Sequence, residues 1–177
     1  MNDRLKEAYE FVKEKHKDQK RKFTGEPYLT HLEGTANLLY TANEDAETDD
    51  FIAALLHDVV EDTLTTSIEV GQHFGKVVMD LVIELTSDEK YTESKEIYLT
   101  NKINKMSKMA FTIKLCDRLD NITGLSKKVV PSGFRIRYID ETKYIINNID
   151  REINSVQKYL IGAIKSMLLY TELSVKV

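Results

Sequence analysis

The stretch Phe51-Ile52-Ala53-Ala54-Leu55-Leu56-His57-Asp58-Val59-Val60-Glu61-Asp62 decides how the rest of the chain is read. Its apolar residues fall on almost every side of a helix, and a helix that is apolar all round belongs at the centre of a protein. Thr48 is the expected N-cap, so a helix is predicted from there through Val60. Within it His57 and Glu61 are i, i+4 neighbours, as are Asp58 and Asp62. Four titratable side chains thus sit on adjoining faces of a helix that otherwise reads as core. Two resolutions stay open on spacing alone. A divalent cation, for which imidazole and carboxylate are good ligands, would offset the penalty of burying them. Alternatively, this end of the helix emerges into solvent, where acidic residues are ordinary.

The flanking sequence is also helical in pattern. Leu5, Ala8, Tyr9 and Val12 predict a helix over residues 3–17, and Leu29, Leu32, Ala36 and Leu39 predict one over 28–42. Thr66 with Glu69 fits a capping box, and Phe74-Gly75 fits the stop of that short helix. Val77, Val78, Leu81, Val82 and Leu85 make the next, and a polar helix over about 92–107 follows. Residues 109–116 alternate as a strand would but fit a buried helix equally well, and periodicity does not choose. From Ser132 onward the apolar spacing predicts two helices, or one long broken one.

Only 7 Gly and 2 Pro among 177 residues leave too few turn formers for a β-sandwich or barrel. The expected fold class is all-α, as one domain over 1–177. With 25 basic and 29 acidic residues the net charge is −4, which argues against a nucleic-acid binder. The single cysteine, Cys116, forms no internal disulfide, and the charged N-terminus lacks the apolar core of a signal peptide. No apolar run is long enough to span a membrane. A cytoplasmic protein is expected, with the oligomeric state open between monomer and homodimer.

Further ligand candidates lie on other apolar segments. His31 falls on the predicted second helix, and Asp117 ends the apolar run Phe111–Cys116. Either could be an ordinary structural residue. His16 and His73, in polar surroundings, are expected at the surface, and Cys116 in the core.

Four segments carry a family resemblance. Residues 20–31, from Lys20-Arg21-Lys22-Phe23-Thr24-Gly25-Glu26-Pro27-Tyr28 to His31, resemble the R-K-S-G-E-P-Y-I-x-H segment of RelA/SpoT-type alarmone hydrolases. Ala53 to Thr63 is nearly identical to their A-A-L-L-H-D-V-V-E-D-T. Phe74-Gly75 with Val77-Val78 and Leu81-Val82 resembles F-G-x-x-V-x-x-L-V, and residues 113–121 resemble I-K-L-A-D-R-L-H-N. Spread over about residues 8–145, these are similar to the hydrolase branch of the HD superfamily of metal-dependent phosphohydrolases. The chain looks like a small stand-alone alarmone hydrolase with no synthetase domain attached.

The resemblance implies an HD-type helical bundle with a metal site between its central helices. It implies His31, His57, Asp58 and Asp117 as ligands of one divalent cation, Mn²⁺ in the family, with Fe or Zn also compatible with such donors. Glu61 and Asp62 are the implied catalytic carboxylates, accepting a proton from the attacking water. Arg21, Lys22, Thr24, Asn121, Arg137 and Tyr138 are the implied nucleotide-binding residues. Arg21 could stack on a purine and Lys22 could neutralise phosphate, or both could belong to a solvated helix end. The implied reaction is removal of the 3′-pyrophosphate of ppGpp or pppGpp. An adenosine alarmone or the 2′-phosphate of NADPH is the alternative substrate, and a non-catalytic nucleotide sensor is a third reading. Three departures stand out: an extra residue at Phe23, Asp120 where the family has His or Tyr, and Thr123-Gly124 in place of a bulkier, more basic pair. They are expected to bear on how base and ribose are read.

Overall fold

The computed structural model describes residues 2–87, 91–127 and 129–175, all helical or irregular apart from one isolated bridge between Lys20 and Pro27. The helices are α1 (Asp3–Lys15), α2 (Leu29–Ala42), α3 (Thr48–Leu56), α4 (Val59–Asp62) and α5 (Ser67–Phe74). They continue with α6 (Lys76–Leu85), α7 (Lys95–Lys105), α8 (Lys108–Leu125), α9 (Ser132–Asn147) and α10 (Ser155–Val175). The expected all-α class is what is observed.

α8 is the axis of the bundle. α2 and α10 pack along it, α6, α9 and α3 meet it, and α1 and α6 pack against α3. Every residue from Ala110 to Leu119 is buried. That explains why residues 109–116 read ambiguously: a helix covered on all sides has no apolar stripe to betray its period. Ser107 opens it, its hydroxyl accepting the Ala110 N–H.

Thr66 caps α5 by accepting the Glu69 N–H, and Gly75, at φ 91°, makes the left-handed turn into α6. The C-terminal segment is two helices, broken between Asn147 and Ser155. Residues 176–177, within the expected domain, lie outside the described residues. Among the described residues no helix is long and apolar enough to cross a membrane.

Two details differ from expectation. The N-cap of α3 is Glu47, not Thr48: Glu47 and Asp50 each accept the other's backbone N–H, a box that two acidic side chains can close at a helix N-terminus. The predicted helix through Val60 is also broken at His57-Asp58, where Asp58 takes φ −104° and ψ −2°. His57 Nδ1 donates to the Ala54 carbonyl, 2.8 Å away, an acceptor that a continuing helix would give to the Asp58 N–H.

Candidate metal centre

Three elements converge on one point: α2 brings His31, the α3–α4 break brings His57 and Asp58, and α8 brings Asp117. His31 Nε2 and His57 Nε2 are 3.3 Å apart. Asp58 Oδ2 lies 3.1 Å from His57 Nε2 and 3.6 Å from His31 Nε2. Asp117 Oδ1 lies 3.2 Å from His31 Nε2 and 3.7 Å from His57 Nε2. Each carboxylate thus flanks both nitrogens.

The outer nitrogens settle which atoms face inward. His31 Nδ1 is 2.6 Å from Asp120 Oδ2, and His57 Nδ1 is 2.8 Å from the Ala54 carbonyl. Both partners can only accept, so both Nδ1 atoms carry hydrogen. With both Nδ1 atoms bonded on the outer side, both Nε2 atoms face the two carboxylates, and these are the atoms a cation would take in place of protons. Metal–ligand bonds of ~2.0–2.2 Å separate adjacent ligand atoms by roughly 3–3.6 Å, the spacing seen here. His31, His57 and Asp58 bring one donor atom each within 4.8 Å of one another, a set that fits a divalent cation, and Asp117 flanks both histidines beside it. The same field acts on protons. Burial opposes charging the imidazoles, yet hydrogen bonds to Asp117, Asp120 and Asp58 raise His31 to about 11. His57 is raised to about 9 by Asp58 and Asp117 against the same burial.

A second layer of side chains fixes the carboxylates. The Tyr28 hydroxyl donates to Asp58 Oδ2 at 2.7 Å, and burial together with Asp58 keeps that hydroxyl protonated. Lys114 Nζ lies 2.9 Å from Asp117 Oδ2, and Asn121 Nδ2 donates to Asp117 Oδ1 at 2.6 Å. Lys114 is buried; burial alone would discharge it, but Asp117 and Asp58 hold its pKa above the ordinary lysine value. Their partners likewise hold both aspartates well below the usual carboxylate range despite burial.

The centre opens onto a cleft of about 350 Å³ bounded by the 20–27 loop, α8 and the start of α9. The Lys20–Pro27 bridge, the Arg21 N–H on the Glu26 carbonyl at 2.8 Å and Gly25 at φ 71° close that loop into a hairpin. Arg21, Lys22 and Thr24 therefore project from one rigid turn. Arg21 Nη1 donates to Asn121 Oδ1 at 3.1 Å, placing the guanidinium over the end of α8. Phe23 packs edge-on against Phe134, with ring centroids 4.7 Å apart, and Lys22 Nζ lies over both rings. Tyr138 closes the wall, backed by the buried Arg118, which is anchored to Glu141 at 2.7 Å.

Residues 8–145 match the HD domain family. The chain belongs to it. At 33% identity over 166 residues it is similar to the guanosine-3′,5′-bis(diphosphate) 3′-pyrophosphohydrolase MESH1 of Xenopus tropicalis, covering 92% of each chain. It is 41% identical over 131 residues to the enzyme of that same activity name from Aquifex aeolicus, a stretch that is 70% of this chain and 18% of that much longer protein. A solved structure described as a metazoan ortholog of SpoT that hydrolyses ppGpp superposes with a TM-score of 0.85 at 26% identity, covering 98% of both chains.

In this HD domain the residues singled out from sequence are not all in one place. His31, His57, Asp58 and Asp117 cluster, and Arg21, Lys22, Thr24, Asn121 and Tyr138 line the adjoining cleft. Arg137 does not line it: the exposed side chain faces a neighbouring groove with Lys95, Asp140 and Glu141. Glu61 and Asp62 stand exposed at the end of α4, where Glu61 accepts the Ser87 N–H and Asp62 accepts from Gln19 Nε2, both at 2.8 Å. His16 is buried rather than at the surface. Its Nδ1 meets Gln19 Oε1 at 2.5 Å and its ring stacks on Tyr28. Lys114, Tyr28 and Asp120 were not visible as parts of the centre. For Lys114 a signal existed, a lone charge within an apolar run and one turn before Asp117.

Proposed function

We propose that this HD-domain chain, acting as a single domain in the cytoplasm, hydrolyses guanosine alarmones, converting ppGpp or pppGpp to GDP or GTP and pyrophosphate. One observation carries the reading: a buried cluster of two imidazoles and two carboxylates borders, through His31, a cleft with a basic, aromatic-walled rim. The names of the relatives supply the substrate. His31, His57, Asp58 and Asp117 would hold one cation, with Mn²⁺ the favoured identity and Fe or Zn compatible with the same donors. A divalent cation there polarises phosphoryl oxygens and acidifies water.

The chain's own residues do the rest. Arg21 and Lys22 neutralise phosphate at the cleft mouth, and Arg21 is held in place by Asn121. Thr24 and Tyr138 border the nucleotide, with Tyr138 offering a ring face to the base or ribose. Arg137 reaches phosphates only from the outer groove, so its part is charge attraction at the entrance. Glu61 or Asp62 would accept the proton of the attacking water, which requires it to exchange its present partner, Ser87 or Gln19, for that water. Hydrolysis forms a bond from water oxygen to the phosphorus on O3′, breaks that phosphorus–O3′ bond, and returns a proton to O3′.

Purified protein with Mn²⁺ and ppGpp is expected to release pyrophosphate. A panel containing the adenosine alarmone and NADPH fixes the base, ranked by kcat/KM. Absence of release from folded, metal-loaded protein overturns the reading. Preference for another nucleotide overturns only the guanosine assignment.

A further inference from the structure

Asp120 is the residue at which this chain departs from its family's pattern beside the metal ligand Asp117. Its carboxylate does not face the nucleotide cleft freely. Oδ2 is 2.6 Å from His31 Nδ1 and only 3.9 Å from Arg21 Nη2, so the imidazole holds it more closely than the guanidinium does. Oδ1 lies over Gly34. A Cβ added at Gly34 would fall 2.1 Å from Asp120 Oδ1 and 2.9 Å from its Cγ, inside any tolerable contact. The carboxylate sits in this position against His31 with residue 34 lacking a side chain, and a side chain there would oblige it to shift.

The spacing on both helices fits this pairing. His31 and Gly34 are i, i+3 on α2, and Asp117 and Asp120 are i, i+3 on α8. The two helices therefore meet twice along one line, first through a pair of candidate ligands and one turn later through a glycine and a carboxylate. The two histidines are also held differently. His57 donates to a neutral carbonyl, whereas His31 donates to an anion. A carboxylate behind a ligating imidazole fixes its tautomer and raises the basicity of the inward nitrogen.

We propose that Asp120, admitted by Gly34, is a positioning residue for the metal site, holding His31 with its Nε2 lone pair turned inward and strengthening its hold on the cation. This rests on the reading of His31 as a metal ligand. Three consequences follow. Asp120 contributes to cation affinity rather than to base selection, Gly34 and Asp120 act as one unit, and a methyl group at position 34 acts only through Asp120.

The test is a double-mutant cycle read by Mn²⁺ affinity, in competition with a chromogenic chelator and without substrate. Asp120→Ala is expected to weaken Mn²⁺ binding roughly 10–100-fold, the usual range for removing such a partner. Asp120→Asn, which keeps a neutral acceptor, should recover part of the loss. Gly34→Ala should weaken binding like Asp120→Ala, yet add nothing in the Asp120→Ala background. Wild-type affinity in Asp120→Ala, or a Gly34→Ala loss that is additive in the double variant, overturns the proposal. His31→Ala separates the layers. If it leaves Mn²⁺ affinity unchanged, the ligand reading fails. If it abolishes binding while Asp120→Ala has no effect, only the positioning role fails.

Discussion

Replacing Lys114 with Met removes a charge from the centre while keeping an unbranched side chain of similar reach. Lys114 Nζ lies 2.9 Å from Asp117 Oδ2, both residues are buried, and Asp58 adds to the field that keeps the ammonium charged. Breaking a buried ion pair from one side costs about 3–5 kcal/mol, because the remaining charge stays buried. A domain of this size loses roughly 2–4 °C in Tm per kcal/mol. Metal-free Lys114→Met is therefore expected to melt about 6–20 °C below the metal-free wild type. A bound cation compensates Asp117 itself, so saturating Mn²⁺ should narrow the gap. Asn121 still holds Asp117 Oδ1 at 2.6 Å, so the carboxylate stays oriented for the cation. Removing the nearby ammonium also removes a repulsion, and Mn²⁺ should bind more tightly. Thermal melts in EDTA and in excess Mn²⁺, with a Kd for each protein, test all three points. A metal-free Tm within ~2 °C of wild type would refute the reasoning, since surface charge changes rarely exceed that. So would a gap as large with Mn²⁺ as without it.

Glu61→Gln and Asp62→Asn should each lower kcat by roughly 10²–10⁴ while leaving Mn²⁺ affinity within about threefold, as removal of a proton acceptor does; a large loss of metal in either would make it a ligand. Arg21→Ala should raise KM for ppGpp more than it lowers kcat, because its contacts are with Asn121 and the cleft rather than with the four candidate ligands; an unchanged KM would remove it from the nucleotide site. The pH dependence has a definite sign. Charged imidazoles stabilise the metal-free protein fully below the ordinary histidine value of about 6.5. That contribution is lost as pH rises through about 9 for His57 and about 11 for His31. The depressed carboxylates act oppositely, contributing above ~4 and less as pH falls further. Metal-free Tm should therefore fall between pH 7 and 9.5, and Mn²⁺-saturated protein under argon should lose less over the same range; a steeper loss with metal would show that the cation does not replace those protons.

Helices with one buried face could be read from spacing, and α1, α2, α5 and α6 fall within a few residues of expectation. α8 could not be typed because Ala110–Leu119 is buried on every side. The break after Leu56 was hidden for another reason. It depends on a side-chain bond from His57 to a backbone carbonyl, and helical spacing counts residues without seeing which carbonyls are taken. His57 and Asp58 still stood out, because titratable residues in a fully apolar helix demand an explanation. His31 and Asp117 were candidates from their place on apolar segments, but one histidine or aspartate there is ordinary, and only the resemblance joined them to His57 and Asp58 as a set.

Asp120 shows where reading by pattern stops. Set beside the expected His or Tyr, it was assigned to the reading of base and ribose, yet its carboxylate binds His31, 89 residues away in the chain. The contact is sensitive to residue 34, where a Cβ would force the carboxylate to shift, and Gly34 by itself looks like a weak point in a helix. A glycine that lowers helix propensity and an aspartate that breaks a motif are each a defect when read alone. Together they form one hydrogen bond to a candidate ligand, and that bond fixes which nitrogen faces the cation. A motif compares residues position by position, so it registers Asp120 as a departure and is silent on its link to Gly34. Packing α2 against α8 brings the glycine, the carboxylate and His31 into one contact that position-by-position comparison does not see.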